Sequence, residues 1–215
     1  MKYSGRITIT ALLFSFICMN VPFYYPDFNV TILLIHLFYL AIFWALGWKF
    51  DKTIYIAEND ELTSVYNRRY ISSTIDKLLK KMIRHNEKVC VIVVDLNNFK
   101  LLNDEFGHVF GDYVLKNVAT ILKQSVKKGG LVARWGGDEF ILILPRTELE
   151  EALELKSVIQ LQLQQLSKSY RATVSASIGI SVFPSDATTL EDLIHVADSH
   201  MYSAKREKKD QPVFS

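Results

Sequence analysis

The chain has 215 residues and a formal net charge of +2, enough for one ordinary domain and a short appendage. So small a charge excludes a protein that coats a polyanion, and no nucleic-acid groove is expected. The 49% apolar fraction is ordinary but concentrated in the first fifty residues, so two physical environments are expected rather than one core.

Ile7 to Pro26 and Phe28 to Trp48 are uncharged runs, each long enough to cross a hydrocarbon core as a helix. Lys2 and Arg6 flank one end, Lys49 and Lys52 the other. Cationic flanks stay on the cytoplasmic side, so residues 1–50 read as a two-span hairpin (about 7–26 and 28–48) turning at Pro26-Asp27. A signal peptide followed by one span is the alternative, then a pair of buried soluble helices; no convincing small-residue cleavage site follows the first run. Tyr24, Tyr25, Trp44 and Trp48 suit interfacial anchors. His36 reads as a neutral histidine bonded to the neighbouring helix. Residues 51–59 hold few helix breakers and are expected to continue the second helix as a connector. The hairpin's expected work is anchorage and dimerisation, and a separate membrane sensor could act beside it.

From Asp60 onward the pattern changes. Residues 68–85 read as a helix with Ile71, Ile75, Leu78, Leu79 and Met82 on one face. KVCVIVVDL (88–96) is a β-branched run that suits a strand buried on both faces, and Cys90 within it reads as a buried free thiol. Cys18 and Cys90 show no CxxC spacing, so no zinc knuckle or redox pair is expected. Residues 111–126 are helical through Val114, Leu115, Val118, Ile121 and Leu122. LVARW and EFILIL flank Gly136-Gly137 as a hairpin. A helix over 148–168, a strand in ATVSASIGISVF (172–183) and a helix over 189–206 complete the plan, with 211–215 an edge strand or a frayed end. The fold expected of residues 60–215 is α/β, a central mixed sheet of about five strands flanked by helices.

Asp95 ends the first buried strand, and Asp138 and Glu139 follow the Gly136-Gly137 turn. Carboxylates at the ends of adjacent strands can converge on one hard cation, and magnesium takes oxygen ligands while bridging substrate phosphates. Each feature also has a plain reading: a strand-end aspartate as a helix cap, and a Gly-Gly turn followed by acids as a surface hairpin.

Residues 134–140, RWGGDEF, resemble the signature of the GGDEF family, the diguanylate cyclases. Other blocks follow in the family's order: DELTSVYNRR (60–69), DLNNFK (95–100), Asn103-Asp104, Phe106-Gly107-His108, Gly111-Asp112, Ser177-Ile178-Gly179, and Ala197-Asp198 through Lys205. The resemblance spans about residues 59–210. It implies a nucleotidyl-cyclase-like fold in which two domains of a homodimer each hold one GTP and together form cyclic di-GMP and two pyrophosphates. Together with the hairpin read from the charge pattern of residues 1–50, the expected setting is a multi-pass protein of the cell membrane with its catalytic domain in the cytoplasm.

Carried over residue by residue, the resemblance implies that Asp95, Asp138 and the Leu96 carbonyl bind Mg2+ (or Mn2+). Glu139 would serve a second metal or activate the attacking hydroxyl. Asn103 and Asp112 would read guanine, an Asp accepting from its N1 and N2 donors; their plain readings are a turn residue and a helix cap. Gly136 and Gly137 would bring bare backbone to the nucleotide, one of them with positive φ. Backbone amides of Phe99 and Lys100 would cradle the β- and γ-phosphates, and Lys205 and Lys209 would add positive charge unless they are solvated helix ends. Arg134 reads as a helper near the hairpin.

Three departures from the family stand out. Asn97 stands where aspartate is frequent. Lys127, Lys128, Gly129 and Gly130 stand where the family's product-inhibition R-x-x-D would be, so feedback inhibition is expected to be weak or absent. Lys208-Lys209-Asp210 replaces the usual G-R-N. The alternative function is a catalytically silent domain that binds GTP and signals through protein contacts.

Overall fold

The computed structural model describes residues 4–24, 30–170 and 172–210, with side chains described at 5–15, 30, 34–170 and 172–202. It divides into two compact units, Met1–Glu58 and Asn59–Ser215.

The first unit pairs helix α1 (Ser4–Tyr24) with helix α2 (Val30–Glu58). Asp51 accepts from the backbone N–H of Gly5 at 2.9 Å and of Arg6 at 3.3 Å, and pairs with the Arg6 guanidinium at 3.2 Å. Amides in the first turn of a helix have no intrahelical partner, so this carboxylate both caps α1 and ties it to α2. The Arg6 guanidinium also lies 5.4 Å from the centre of the Trp44 ring. Leu34–Glu58 is, among the described residues, the one helix long and apolar enough to cross a membrane, and Gly5–Ser15 is a shorter apolar stretch. Much of the first expected span, with Cys18, Tyr24 and Tyr25, lies outside the residues whose side chains are described. α2 runs unbroken to Glu58.

The second unit is a five-stranded mixed sheet in the order β1-β3-β4-β2-β5, flanked by helices. Its elements are β1 (Tyr66–Asn67), α3 (Arg68–Arg84), β2 (Val89–Leu96), α4 (Phe99–Phe106), α5 (His108–Ser125), β3 (Leu131–Arg134), β4 (Glu139–Pro145), α6 (Leu149–Tyr170), β5 (Ala176–Phe183) and α7 (Leu190–Asp210). β1 pairs parallel to β3, and the other pairs are antiparallel. The central strand β2 is buried on both faces. Cys90, Ile92, Val94 and Leu96 point to the α5 and α6 side; Val89, Val91 and Val93 point to the α3 and α7 side. Each such side chain, fully buried, contributes roughly 1.5–3 kcal/mol. Cys90 is a buried free thiol whose Sγ donates to the Thr147 carbonyl at 3.1 Å, and burial pushes it up to about 12.

The structure differs from the periodic reading in four places. The fifth strand is the two-residue β1 inside the DELTSVYNRR block, too short to show alternation; residues 211–215 lie outside the described residues. The eight-residue helix α4 buries only Leu102, which leaves no helical stripe to read. α5 begins at His108, three residues early, because Gly107 at φ 84° ends one helix and starts the next. β5 begins at Ala176 rather than 172, and α7 runs on to Asp210.

Candidate active site

β2 and β4 are antiparallel with Asp95 directly opposite Glu139, and β2 pairs on its other side with Ser177 opposite Asp95. Directly opposed residues project from the same face. That face is the one covered by α7, because Gly179, two residues from Ser177, touches the α7 backbone: a Cβ on Gly179 would overlap the Ala197 carbonyl. Asp198 follows Ala197, so a third element brings a carboxylate to the same corner. Asp138 sits in the turn before β4, and its carbonyl accepts from the Leu96 N–H at 3.2 Å.

These carboxylates feel one another. Local crowding pushes the Glu139 carboxyl up, and the charges of Asp95, Asp198 and Asp138 push it further; Arg68 pulls the other way. Glu139 is open to solvent as a whole residue, so crowding of its carboxyl rather than deep burial is the desolvating influence. Asp198 is pushed up by crowding and then by Asp95, with His195 opposing. Among the described residues no three such groups already meet at coordinating distance. The donor set nevertheless suits a hard divalent cation: it is all oxygen, and its mutual repulsion is what a cation would relieve.

The turn between β3 and β4 is held from outside. Arg134 Nη2 and Nε donate to the Gly137 carbonyl at 2.7 and 3.1 Å, while Nη1 reaches Asp60 Oδ1 at 3.2 Å. Asp60 Oδ1 also accepts from the N–H of Thr63 at 2.9 Å and its hydroxyl at 2.6 Å. The opening block of the sequence thus clamps the Gly-Gly turn, and Arg134 is a helper as expected. Neither Gly136 nor Gly137 has positive φ; among the described glycines only Gly107 and Gly129 do. The expectation of positive φ in this turn is therefore overturned. A Cβ at 136 would stand 2.7 Å from Glu139 Oε2, the movable end of that side chain, so a side chain there would displace the Glu139 carboxylate, and a Cβ on Gly137 would meet open space.

Asn103 lies inside α4 and Asp112 inside α5, so neither is a turn residue or a cap. Asn103 Oδ1 is buried without a hydrogen-bond partner, seated against Gly111, where a Cβ would overlap it. The N-cap position of α4 is Asn98, at φ 55°, and its side chain makes no capping bond. Asn98 therefore does not occupy the first-turn amides of α4, which include those of Phe99 and Lys100. Asn97 donates through Nδ2 to Ser175 Oγ at 3.1 Å and accepts from Ser177 Oγ at 2.7 Å. Its amide ties β2 to β5. The side chains of Lys205 and Lys209 lie outside the described residues. Asp198 was not singled out as a site residue from the sequence; its place in the Ala197-Asp198 block was the one available signal.

Residues 57–211 match the family described as "Diguanylate cyclase, GGDEF domain". The diguanylate cyclase TpbB of Pseudomonas aeruginosa is 36% identical over 157 residues, covering 71% of this chain and 36% of TpbB, so this chain spans about a third of that relative's length. The solved GGDEF domain of TpbB superposes with a TM-score of 0.64 at 37% identity, covering 69% of this chain and 89% of that one. The GGDEF domain of DgcB from Caulobacter crescentus, solved in complex with c-di-GMP, gives 0.63 at 25% identity, covering 70% and 91%. From the ordered motifs, the mixed sheet and these matches together, the chain belongs to the GGDEF family of diguanylate cyclase domains.

Proposed function

We propose that the protein is a diguanylate cyclase that condenses two GTP molecules into cyclic di-GMP and two pyrophosphates across a homodimer. The observation that carries this reading is the corner where Asp95, Asp138, Glu139 and Asp198 gather beside the clamped Gly-Gly turn. The named activity of TpbB and the ligand of DgcB support it.

In this reading each 3′-oxygen attacks the α-phosphorus of the other nucleotide, the bond to the β-phosphate oxygen breaks, and pyrophosphate leaves. Magnesium held by Asp95, Asp138 and the Leu96 carbonyl would offset charge on the phosphates. Glu139, kept partly protonatable by its neighbours, takes up the hydroxyl proton or helps hold a second ion. The α4 amides at Phe99 and Lys100 receive the outer phosphates, with Lys205 and Lys209 adding charge. Asn103 and Asp112 read guanine, and the unpartnered Asn103 Oδ1 fits a waiting acceptor. Gly136 and Gly137 leave room for the nucleotide.

Helices α1 and α2 are read as a membrane hairpin occupying residues 1–50, with 51–59 a connector and 60–215 the catalytic domain on the cytoplasmic side. The ion pair of Arg6 with Asp51, beside Lys49 and Lys52, sets the charges of both helices at one end, as a hairpin with both termini in the cytoplasm requires. A membrane sensor could engage the same hairpin.

The test is conversion of GTP by the full-length chain with magnesium, the product identified by mass, beside Glu139→Ala. Cyclic di-GMP from the native chain and none from the variant is the expected result. Saturable GTP binding by a folded dimer that yields no product would replace this reading with the silent regulatory one.

A further inference from the structure

We propose that Arg68 binds phosphate oxygens of the nucleoside triphosphate, from the α3 side of the site. This rests on the cyclase reading. Arg68 is the first residue of α3, and β1 just before it pairs with β3 in the register Asn67 to Arg134, which sets Arg68 beside Trp135. Its guanidinium carbon lies 4.6 Å from the centre of the Trp135 ring. Trp135 in turn donates its backbone N–H to the Glu139 carbonyl at 2.8 Å. The end of the sheet therefore presents, on one face, a cation on an indole shelf, then Glu139, then Asp95, with Asp198 above them on α7.

Arg68 is exposed and forms no hydrogen bond or ion pair among the described residues; its charge nonetheless reaches Glu139. A guanidinium resting one face on an aromatic ring keeps its N–H edges free, and those edges match the paired oxygens of a phosphate. Here the guanidinium rests on the ring with its charge felt by Glu139 and without an ion pair to it. A polyanionic group entering that corner meets repulsion from the carboxylates, and Arg68 is the described side-chain cation stationed to receive it. α4 packs on the opposite face of the sheet from α3, through Phe99 and Leu102, so Arg68 would grip the phosphates from the other side.

The test uses the full-length chain in detergent with magnesium. The probes are 3′-deoxy-GTP, which lacks the attacking hydroxyl and so reports binding alone, and 3′-deoxyguanosine, which lacks every phosphate. Arg68→Gln is expected to weaken 3′-deoxy-GTP binding about tenfold, the scale of a lost charge-assisted fork, while leaving the nucleoside's affinity and the melting temperature of the unliganded protein unchanged. Arg68→Lys is expected to recover part of the loss. The proposal is overturned if Arg68→Gln binds 3′-deoxy-GTP like the wild type, or if it weakens nucleoside and triphosphate alike. A wild type that neither binds 3′-deoxy-GTP nor makes cyclic di-GMP fails the cyclase reading and this assignment together. A wild type that does both, matched by Arg68→Gln, fails this assignment alone.

Discussion

Gly111 and Asn103 share one space: the α-carbon of Gly111 on α5 is the floor on which the Asn103 carboxamide of α4 rests, and any Cβ there would overlap its oxygen. In an unconstrained helix, alanine is favoured over glycine by about 1 kcal/mol. Gly111→Ala sets that gain against displacement of Asn103. The expected outcome is a protein that melts near the wild-type temperature but binds GTP about tenfold more weakly, the scale of one or two lost hydrogen bonds. Adding Asn103→Ala should raise the melting temperature of Gly111→Ala without restoring binding. Thermal melts and nucleotide titrations of the three variants check this.

Glu139 carries a carboxyl pushed up by crowding and by Asp95, Asp198 and Asp138. A group that holds its proton more tightly folded than unfolded favours the fold at low pH and loses that contribution as pH rises through the folded value. Glu139→Gln should therefore stabilise the metal-free protein at neutral pH, with the gain vanishing below about pH 4, where carboxylates are protonated in either state. The same variant should lose activity by ~100-fold or more if Glu139 handles the hydroxyl proton. Magnesium should raise the wild-type melting temperature more than the variant's. A variant destabilised at pH 7 contradicts the crowding account.

Gly136 and Gly137 separate by the same reasoning. A methyl at 136 meets only the far end of the Glu139 side chain at 2.7 Å, and one at 137 meets nothing. Neither position has positive φ, so Gly136→Ala and Gly137→Ala should each fold with a melting temperature close to wild type. Gly136→Ala should lower turnover by displacing Glu139. Gly137→Ala should raise KM for GTP if the nucleotide backs onto that bare surface. Steady-state kinetics on the folded variants distinguish the two effects.

The sheet was legible where burial imposes a period. β2 and β4 are apolar on both faces, and α3 shows Ile71, Ile75, Leu79 and Met82 as one stripe. Elements that bury little were not: α4 hides Leu102 alone, and β1 is two residues set by pairing with β3. The site divides along the same line. Asp95, Asp138 and Glu139 were readable because a strand end and a Gly-Gly turn frame them. Asp198 was not, since its place depends on how closely α7 approaches Gly179, a tertiary contact that the chain's local pattern does not carry.

Asp60 and Arg134 make an acid-sensitive clamp. Burial pushes the Asp60 carboxyl up, but the two Thr63 hydrogen bonds and the Arg134 guanidinium outweigh it and hold it below its ordinary value. A carboxylate lowered in the folded state stabilises fully above its unfolded value, near 3.9, and the contribution fades as pH falls through the folded value. Asp60→Asn should therefore be less stable than wild type at pH 7, with the difference closing as pH falls below the ordinary carboxylate range. Melts across pH 2.5–7, a window set around the ordinary carboxylate range of about 4, decide it. A difference constant across that range means the clamp does not depend on charge.

The turn that replaces the family's inhibitory motif bears on feedback. Lys127 is engaged with Glu151, Gly129 sits at φ 99°, and a Cβ on Gly130 would stand 3.1 Å from that of Val126 and 3.3 Å from Leu144 Cδ2. A side chain at 130 would be tight against Val126 and Leu144, so an aspartate there requires those neighbours to shift by a few tenths of an ångström. Cyclic di-GMP in large excess over enzyme should leave the initial rate within about twofold of its uninhibited value, a binding effect under ~0.5 kcal/mol. Lys127→Arg alone should not create inhibition. The pair Lys127→Arg and Gly130→Asp should lower stability by ~1–3 kcal/mol through overpacking. Inhibition of the wild type by its own product at low micromolar concentration would show that the turn binds it through groups other than the missing pair.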